Sequence, residues 1–178
     1  MNRRTAIRNG FIFSAGIVFL PSCLQKNKNS IVLTNISISA EQEKMLAQLS
    51  ETIIPKTTFI GASDVKAHEF NLMMVDECFP PEKQKQFIGG LQQFDKMVSE
   101  KFGKSFSDCS QQQKNEWLTF IENKKDLSPD VAAFYKTTKQ HTLQAFTSSQ
   151  QYMVDIKKYK MVPGPIFKGC VPLKNKVA

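Results

Sequence analysis

The sequence has few of the residues that usually carry catalytic chemistry. Its 178 residues include two histidines, His68 and His141, and four cysteines. The cysteines are too widely spaced for the C-x-x-C pairs of zinc ribbons or the C-x-x-C-H of attached haem. Neither histidine has a glutamate three residues before it or a second histidine four residues away, which excludes the helical diiron and zinc patterns. We therefore expect no metal site and interpret both histidines as structural.

Phosphate-binding and nucleophile motifs are absent as well. The chain has no G-x-G-x-x-G, no phosphate-binding loop and no serine in a G-x-S-x-G turn. The acidic pairs Glu41–Glu43 and Asp76–Glu77 are interpreted as solvated helix faces, because a general acid needs a pocket that raises its pKa. We expect no catalytic residue and no cofactor in this chain.

Arginine is absent beyond the eighth residue. Of 24 basic residues, three are arginine (Arg3, Arg4 and Arg8) and the other 21 are lysine. An uncharged run of ten residues, 11–20, follows this basic start, which is the order of a signal peptide. A membrane span needs about 20 apolar residues, so this run is too short to be one. Residues 2–8 resemble a twin-arginine (Tat) export signal, read by the Tat translocase, with an ordinary secretory signal as the alternative.

The signal-like segment ends at a cysteine. Residues 20–23 resemble a lipobox, in which a lipid is attached to Cys23 and cleavage makes it the first mature residue. More than one acyl group would anchor the protein to the membrane, because a single chain binds only marginally. The alternative is a soluble periplasmic protein cleaved near Ser22. We predict a signal over residues 1–23, a tether over 24–38 and one domain over 39–178.

The remaining charge is spread along the chain. Residues 23–178 carry 21 lysines against 16 acidic residues, a formal charge of +5. The lysines alternate with acidic and amide residues instead of clustering with aromatics, which does not favour nucleic-acid binding.

Apolar residues recur at helical spacing, so we predict a mainly α-helical domain of about five helices. The first helix follows a capping box at Ser39 and stops at Pro55, and the second begins at Ser63 or Asp64 and reaches about Cys78. The third helix covers residues 82–101 and ends before Gly103. Ser110 caps the fourth helix, and Ser128 and Pro129 begin the fifth. Gly89 and Gly90 interrupt the third helix, which indicates either a kink or the close approach of another backbone.

The pattern fails after Ser148. Residues 148–178 contain three prolines and two glycines among many apolar side chains, so we predict a long irregular segment that lies along the body and a partner surface. A tail that covers only its own core is the alternative. A disulfide between Cys78 and Cys170 would fasten it to the body; buried free thiols are the other possibility.

An ordered set of short motifs spans nearly the whole chain. After the twin-arginine start come residues 49–55, 61–65, 68–70, 102–106, 145–149, 162–165 and 168–173. Together these resemble the gluconate 2-dehydrogenase subunit 3 family. The resemblance implies a small, cofactor-free subunit of a periplasmic dehydrogenase complex. Its large subunit is an FAD-bearing flavoprotein that oxidises a sugar, polyol or sugar acid, and its third subunit is commonly a cytochrome c.

The resemblance also implies a role for the signal, because the small subunit of such complexes supplies the export address that the flavoprotein lacks. We expect the second helix and the irregular tail to dock on that partner. The candidate docking residues are Phe70, Met73, Met74, Phe146, Ser148, Pro163, Gly164, Gly169 and Pro172. An independent periplasmic helical lipoprotein that acts as a binding module is the alternative function, and an enzyme in its own right is a third.

Overall fold

The computed structural model describes residues 30–124 and 126–160. They form five α-helices and no strand: α1 Ala40–Ile53, α2 Ala67–Cys78, α3 Pro81–Phe102, α4 Gln111–Asn123 and α5 Pro129–Ser148. A 3-10 turn, Phe106–Asp108, joins α3 to α4, and a short π-helix, Tyr152–Ile156, follows α5. The prediction of a mainly α-helical domain of about five helices is confirmed.

Three of the helices begin where the sequence predicts. The hydroxyl of Ser39 accepts from the Gln42 amide at 3.2 Å, and the Gln42 side chain accepts from the Ser39 amide at 2.8 Å. Ser110 and Gln113 make the same reciprocal pair at the start of α4. Ser128 caps α5. Each cap satisfies amides that have no partner inside the helix, so these starts depend on local sequence alone.

The predicted start of α2 is wrong. Neither Ser63 nor Asp64 caps this helix, which begins three residues later at Ala67. The Asp64 carboxylate instead accepts from the Gly61 amide at 2.8 Å and pairs with the Lys56 ammonium at 2.6 Å. Because both groups hold the loop between α1 and α2, the chain reaches helical geometry only after Lys66, whose φ is +51°.

The core is centred on Phe94 of α3. Its ring centroid lies 5.5 Å from that of Phe106, 5.9 Å from Trp117 of α4 and 5.5 Å from Phe134 of α5. Such tilted and edge-to-face arrangements suit the charge distribution of aromatic rings. Gly103 ends α3 as predicted, with φ of +71°.

The glycine pair in α3 is explained by the neighbouring helix. A Cβ at Gly90 would lie 2.3 Å from the carbonyl oxygen of Asp130 in α5, whereas one at Gly89 would meet nothing within 4 Å. Of the two alternatives from sequence, the close approach of another backbone is therefore confirmed at Gly90.

Two acidic residues predicted to be solvated are buried. Asp76 is 2% exposed and Glu43 is 7% exposed, so the interpretation as solvated faces is wrong for both, although Glu41 and Glu77 are exposed. Asp76 accepts from the backbone amides of Thr34, Asn35 and Ile36 at 2.7–2.8 Å. These bonds compensate the cost of burying the carboxylate. They fasten the described end of the predicted tether to α2.

Candidate docking surface

Helices α2 and α5 pack against each other in opposite directions. Ala67, at the start of α2, shares a small apolar cluster with Ala145 near the end of α5. Phe70 borders this cluster, and its ring lies edge-on to His141 at 6.2 Å. The structure therefore brings the first half of α2 next to the last half of α5, where several predicted docking residues lie.

The described docking candidates differ in exposure. We use the name α2–α5 surface for Phe70, Met73, Met74, Phe146 and Ser148. Met73 is 54% exposed and Ser148 is also exposed, while the other three are half-buried. The Phe146 ring packs on Tyr152 of the π-helix at 5.2 Å. Pro163, Gly164, Gly169 and Pro172 lie outside the described residues.

Several exposed apolar side chains lie on the same elements as this surface or directly after them. Eight large apolar residues of the described chain are exposed, and five of them lie on α2, on α5 or in the segment after α5: Met73, Leu143, Val154, Ile156 and Tyr159. Scattered apolar residues are normal on any surface, but a concentration in one region is typical of interaction sites. Leu143, Val154, Ile156 and Tyr159 were not among the predicted docking residues.

Sequence reasoning also missed Phe59, which is 67% exposed in the loop between α1 and α2. The Glu51 carboxylate holds both sides of this loop, accepting from the amides of Lys56 at 2.8 Å and Ser63 at 3.0 Å. The hydrogen bond from Lys56 lowers the pKa of Asp64, which completes the base of the loop. An aromatic residue directly after the polar run 56–58 was the available signal. These hydrogen bonds fix both ends of the loop that carries the exposed Phe59.

The two histidines lie in polar contacts inside the helix packing. His141 is buried, and its Nδ1 lies 2.9 Å from Oδ1 of Asn71. Burial lowers the pKa of His141. His68 Nε2 lies 4.0 Å from the Glu43 carboxylate, and its pKa is lowered by burial in spite of the nearby charges of Glu69 and Glu43. Both contacts suit the structural interpretation of these residues.

The remaining predicted sites are only partly described. Cys78 is exposed and Cys109 is buried, and both are free thiols. Arg3, Arg4, Cys23 and Cys170 lie outside the described residues, so the signal, the lipid site and the Cys78–Cys170 link stay predictions.

Within residues 30–124 and 126–160, no cluster of three histidine, cysteine or acidic side chains is arranged to hold a metal ion. No helix in the same part of the chain is long and apolar enough to cross a membrane.

Comparison with known proteins places the chain in a family. A family model described as gluconate 2-dehydrogenase subunit 3 matches residues 40–164, which include all five helices and the π-helix. No curated protein and no solved structure matches the chain. Because the match covers more than half of the sequence, the chain belongs to the gluconate 2-dehydrogenase subunit 3 family.

Proposed function

We propose that this chain is the non-catalytic, gamma-type subunit of a membrane-associated, FAD-dependent dehydrogenase of sugars, polyols or sugar acids. It stabilises the flavoprotein subunit and escorts it, already folded, through the Tat pathway. The family match over residues 40–164 carries this proposal. The paired Arg3 and Arg4 ahead of a short apolar run supply the export step.

The order of events follows from the chemistry of the partner. A flavoprotein folds around its FAD in the cytoplasm, where the cofactor is available. An export route for folded proteins is then required. The small subunit docks on the folded flavoprotein and presents one signal for both chains. In the periplasm a cytochrome c subunit accepts the electrons that FAD removes from the substrate hydroxyl group.

Docking is assigned to the α2–α5 surface, together with residues 149–160, which follow α5. Met73 is an adaptable, unbranched side chain with more than half of its surface exposed. Leu143 of α5 and Ile156 of the π-helix, which are 45% and 40% exposed, are further apolar side chains available to a partner. The buried core of an interface is more apolar than the rest of a protein surface and is enriched in methionine.

Attachment to the membrane is assigned to Cys23. A lipid on this residue leaves the tether, residues 24–38, between the anchor and the body. The Asp76 carboxylate fixes the far end of that tether through the amides of Thr34, Asn35 and Ile36. Ile31 and Leu33 also pack against the core, so residues 24–30 set the reach from the membrane, at most about 23–25 Å for seven extended residues.

The escort role is tested at the two arginines. We replace Arg3 and Arg4 together by lysine, which keeps the charge but removes the pair that the translocase reads, and follow the flavoprotein by fractionation. Arg8→Lys is the matched control, because it changes the third arginine and leaves the pair intact. We expect the flavoprotein to remain in the cytoplasm with the double variant and to be exported with the control. Export with both variants would exclude the escort role.

Subunit status is tested separately by purification. The chain, tagged at its carboxyl end and isolated from cells that make the whole complex, is expected to bring down a yellow protein with the absorption of bound flavin. A monomer without a flavoprotein would support the alternative, an independent helical lipoprotein. Substrate oxidation by the isolated chain would instead show that it is an enzyme.

A further inference from the structure

A groove of about 430 Å³ lies beside the junction of α2 and α3, against α5. Its wall includes Phe79 and Phe87 together with Ala133 of α5, and Lys83 is its charged member. This volume is in the range of pockets that enclose apolar ligands or side chains. The groove is distinct from the α2–α5 surface, because it adjoins the end of α2 and the first half of α5.

A free thiol belongs to the same groove. Cys78, the last residue of α2, lines the wall and is exposed, whereas Cys109 is buried elsewhere in the core. An apolar groove with a reactive group in its wall suits a peptide that carries both apolar side chains and a second cysteine.

We propose that the groove is the docking site for the carboxyl-terminal segment of this same chain, residues 161–173, and that it brings Cys170 beside Cys78. The segment supplies the required chemistry: Ile166, Phe167 and Val171 are apolar and flank or precede Cys170. Its charged residue is Lys168, which can remain in water while the apolar side chains are buried.

The length of the chain is sufficient. The amide of Tyr159 donates to the carbonyl of Met153 at 2.8 Å, which holds the chain against the π-helix that follows α5. From Ser148 back to the level of Ala133 is about 22 Å along a helix. The ten residues from Lys160 to Cys170 extend up to about 33–36 Å. An extended chain of this length therefore spans the distance along α5 from Ser148 to Ala133.

Attachment to the body favours this occupant over a second copy of the chain. A tethered segment of this length meets its site at an effective concentration in the millimolar range, so even a weak apolar contact keeps the groove filled. A second copy would have to compete from solution, at a concentration far below that of the tethered segment.

The covalent step balances with an external disulfide as the oxidant. The Cys78 and Cys170 thiols each lose a proton and together give up two electrons. An S–S bond forms between them, and a small-molecule disulfide such as oxidised glutathione is reduced to two thiols. Exchange proceeds through a mixed disulfide with one of the two cysteines.

Docking is tested first in the reduced full-length chain, without oxidant. The measured quantity is the rate at which N-ethylmaleimide alkylates Cys78, followed by peptide mass spectrometry. We expect about tenfold slower alkylation in the unmodified chain than in the double variant Ile166→Asp, Phe167→Asp, because a docked segment shields the thiol. Equal rates would overturn the proposal.

A second pair of variants alters the groove itself. Ala133→Phe fills it and is expected to raise the Cys78 alkylation rate to that of the double variant, while Ala132→Phe, on the exposed side of α5, leaves the rate unchanged. Buried Cys109 should remain unmodified in every folded variant and so reports on folding. If Ala133→Phe leaves the Cys78 alkylation rate unchanged while Cys109 stays protected, the result would contradict docking in this groove.

Oxidation then identifies the partner of Cys78. With oxidised glutathione we expect a linked pair of peptides that contain Cys78 and Cys170, in a chain that remains monomeric. A dimer joined through two Cys78 residues would overturn the proposal. These measurements use the purified chain alone, so their failure leaves the proposed escort function untouched, and failure of the escort function leaves them unchanged.

Discussion

Gly90 of α3 lies directly against the backbone of Asp130 in α5. A Cβ at position 90 would stand 2.3 Å from the Asp130 carbonyl oxygen and 2.6 Å from the Cβ of Phe134. Because backbone atoms cannot move aside as a flexible side chain can, these two helices approach as closely as they do only with glycine at this position.

Replacing Gly90 by alanine should therefore destabilise the fold. Overpacking of this kind costs about 1–3 kcal/mol, which exceeds the gain of about 1 kcal/mol that alanine brings to a helix interior. Urea unfolding followed by circular dichroism measures the difference.

Gly89→Ala is the matched control, because a Cβ there meets nothing within 4 Å. We expect this variant to gain up to about 1 kcal/mol from helix propensity. Equal stability changes at the two positions would contradict the close approach of α5.

The glycine pair also illustrates which structural features could be predicted from the sequence and which could not. Helix starts at Ser39, Ser110 and Ser128 could be predicted because each capping hydroxyl and the backbone amide that donates to it lie within one turn of each other. The sequence offered a kink or a close approach at Gly89 and Gly90, but it could not choose between them. The choice depends on α5, because the contacting residue Asp130 lies 40 residues after Gly90 in the chain.

Asp76 and Asp64 mark where prediction failed. Both were assigned roles from their neighbours in sequence, yet Asp76 binds the amides of residues 34–36 and Asp64 binds Lys56. A short polar side chain that serves another segment looks the same, in sequence, as one that faces water or caps a helix. Within the candidate site, apolar periodicity identified α2, but the exposure of Phe59 depends on how its loop folds.

The Asp76 clamp predicts a dependence of stability on pH. Burial tends to raise the pKa of Asp76, but the amides of Thr34, Asn35 and Ile36 outweigh it and lower the pKa. A carboxyl whose pKa is lower in the folded state stabilises the fold above its unfolded value of about 3.9. That contribution is lost as the pH falls through the folded pKa.

Asp76→Asn should cost about 1.5–3 kcal/mol at neutral pH, because the charged acceptor of three amides is removed. The difference from the unmodified chain should be constant from about pH 7 to 5 and shrink toward pH 3. Urea unfolding at each pH measures it, with exposed Glu77→Gln as the control. A difference that persists unchanged to pH 3 would show that the charge of Asp76 is not what holds residues 34–36.

The two histidines predict a second pH effect. Burial lowers the pKa of both His141 and His68, so each histidine binds a proton more readily in the unfolded chain. Their contribution is fully present above the unfolded value of about 6.5 and is lost as the pH falls toward the folded pKa. The free energy of unfolding should therefore decrease between about pH 7.5 and 5.5, by at most about 1.4 kcal/mol per pH unit for each histidine.

His141→Gln should flatten this decrease, and the double variant with His68→Gln should flatten it further. The slope against pH is compared, because His141→Gln also alters the contact with Asn71 and shifts stability at every pH. An unchanged slope in the double variant would mean that other groups cause the pH dependence.

The α2–α5 surface predicts where a charge would block complex formation. Met73→Glu places a carboxylate on the most exposed apolar side chain of α2, where an interface core would have to desolvate it. We expect co-purification of the flavoprotein to fall at least about tenfold, which corresponds to about 1.4 kcal/mol of binding. Urea unfolding of the isolated chain should change little, because a substitution on an exposed surface is usually worth less than about 0.5 kcal/mol.

Val32→Glu is the matched control, because Val32 is 97% exposed and lies outside the proposed surface. It should leave co-purification intact, so that a loss with Met73→Glu alone reports on position and not on added charge. Loss with both variants would indicate a general effect of charge, and loss with neither would move the interface away from α2. The exposed loop residue Phe59 would then be the next position to change, because it is the most exposed aromatic side chain of the described residues.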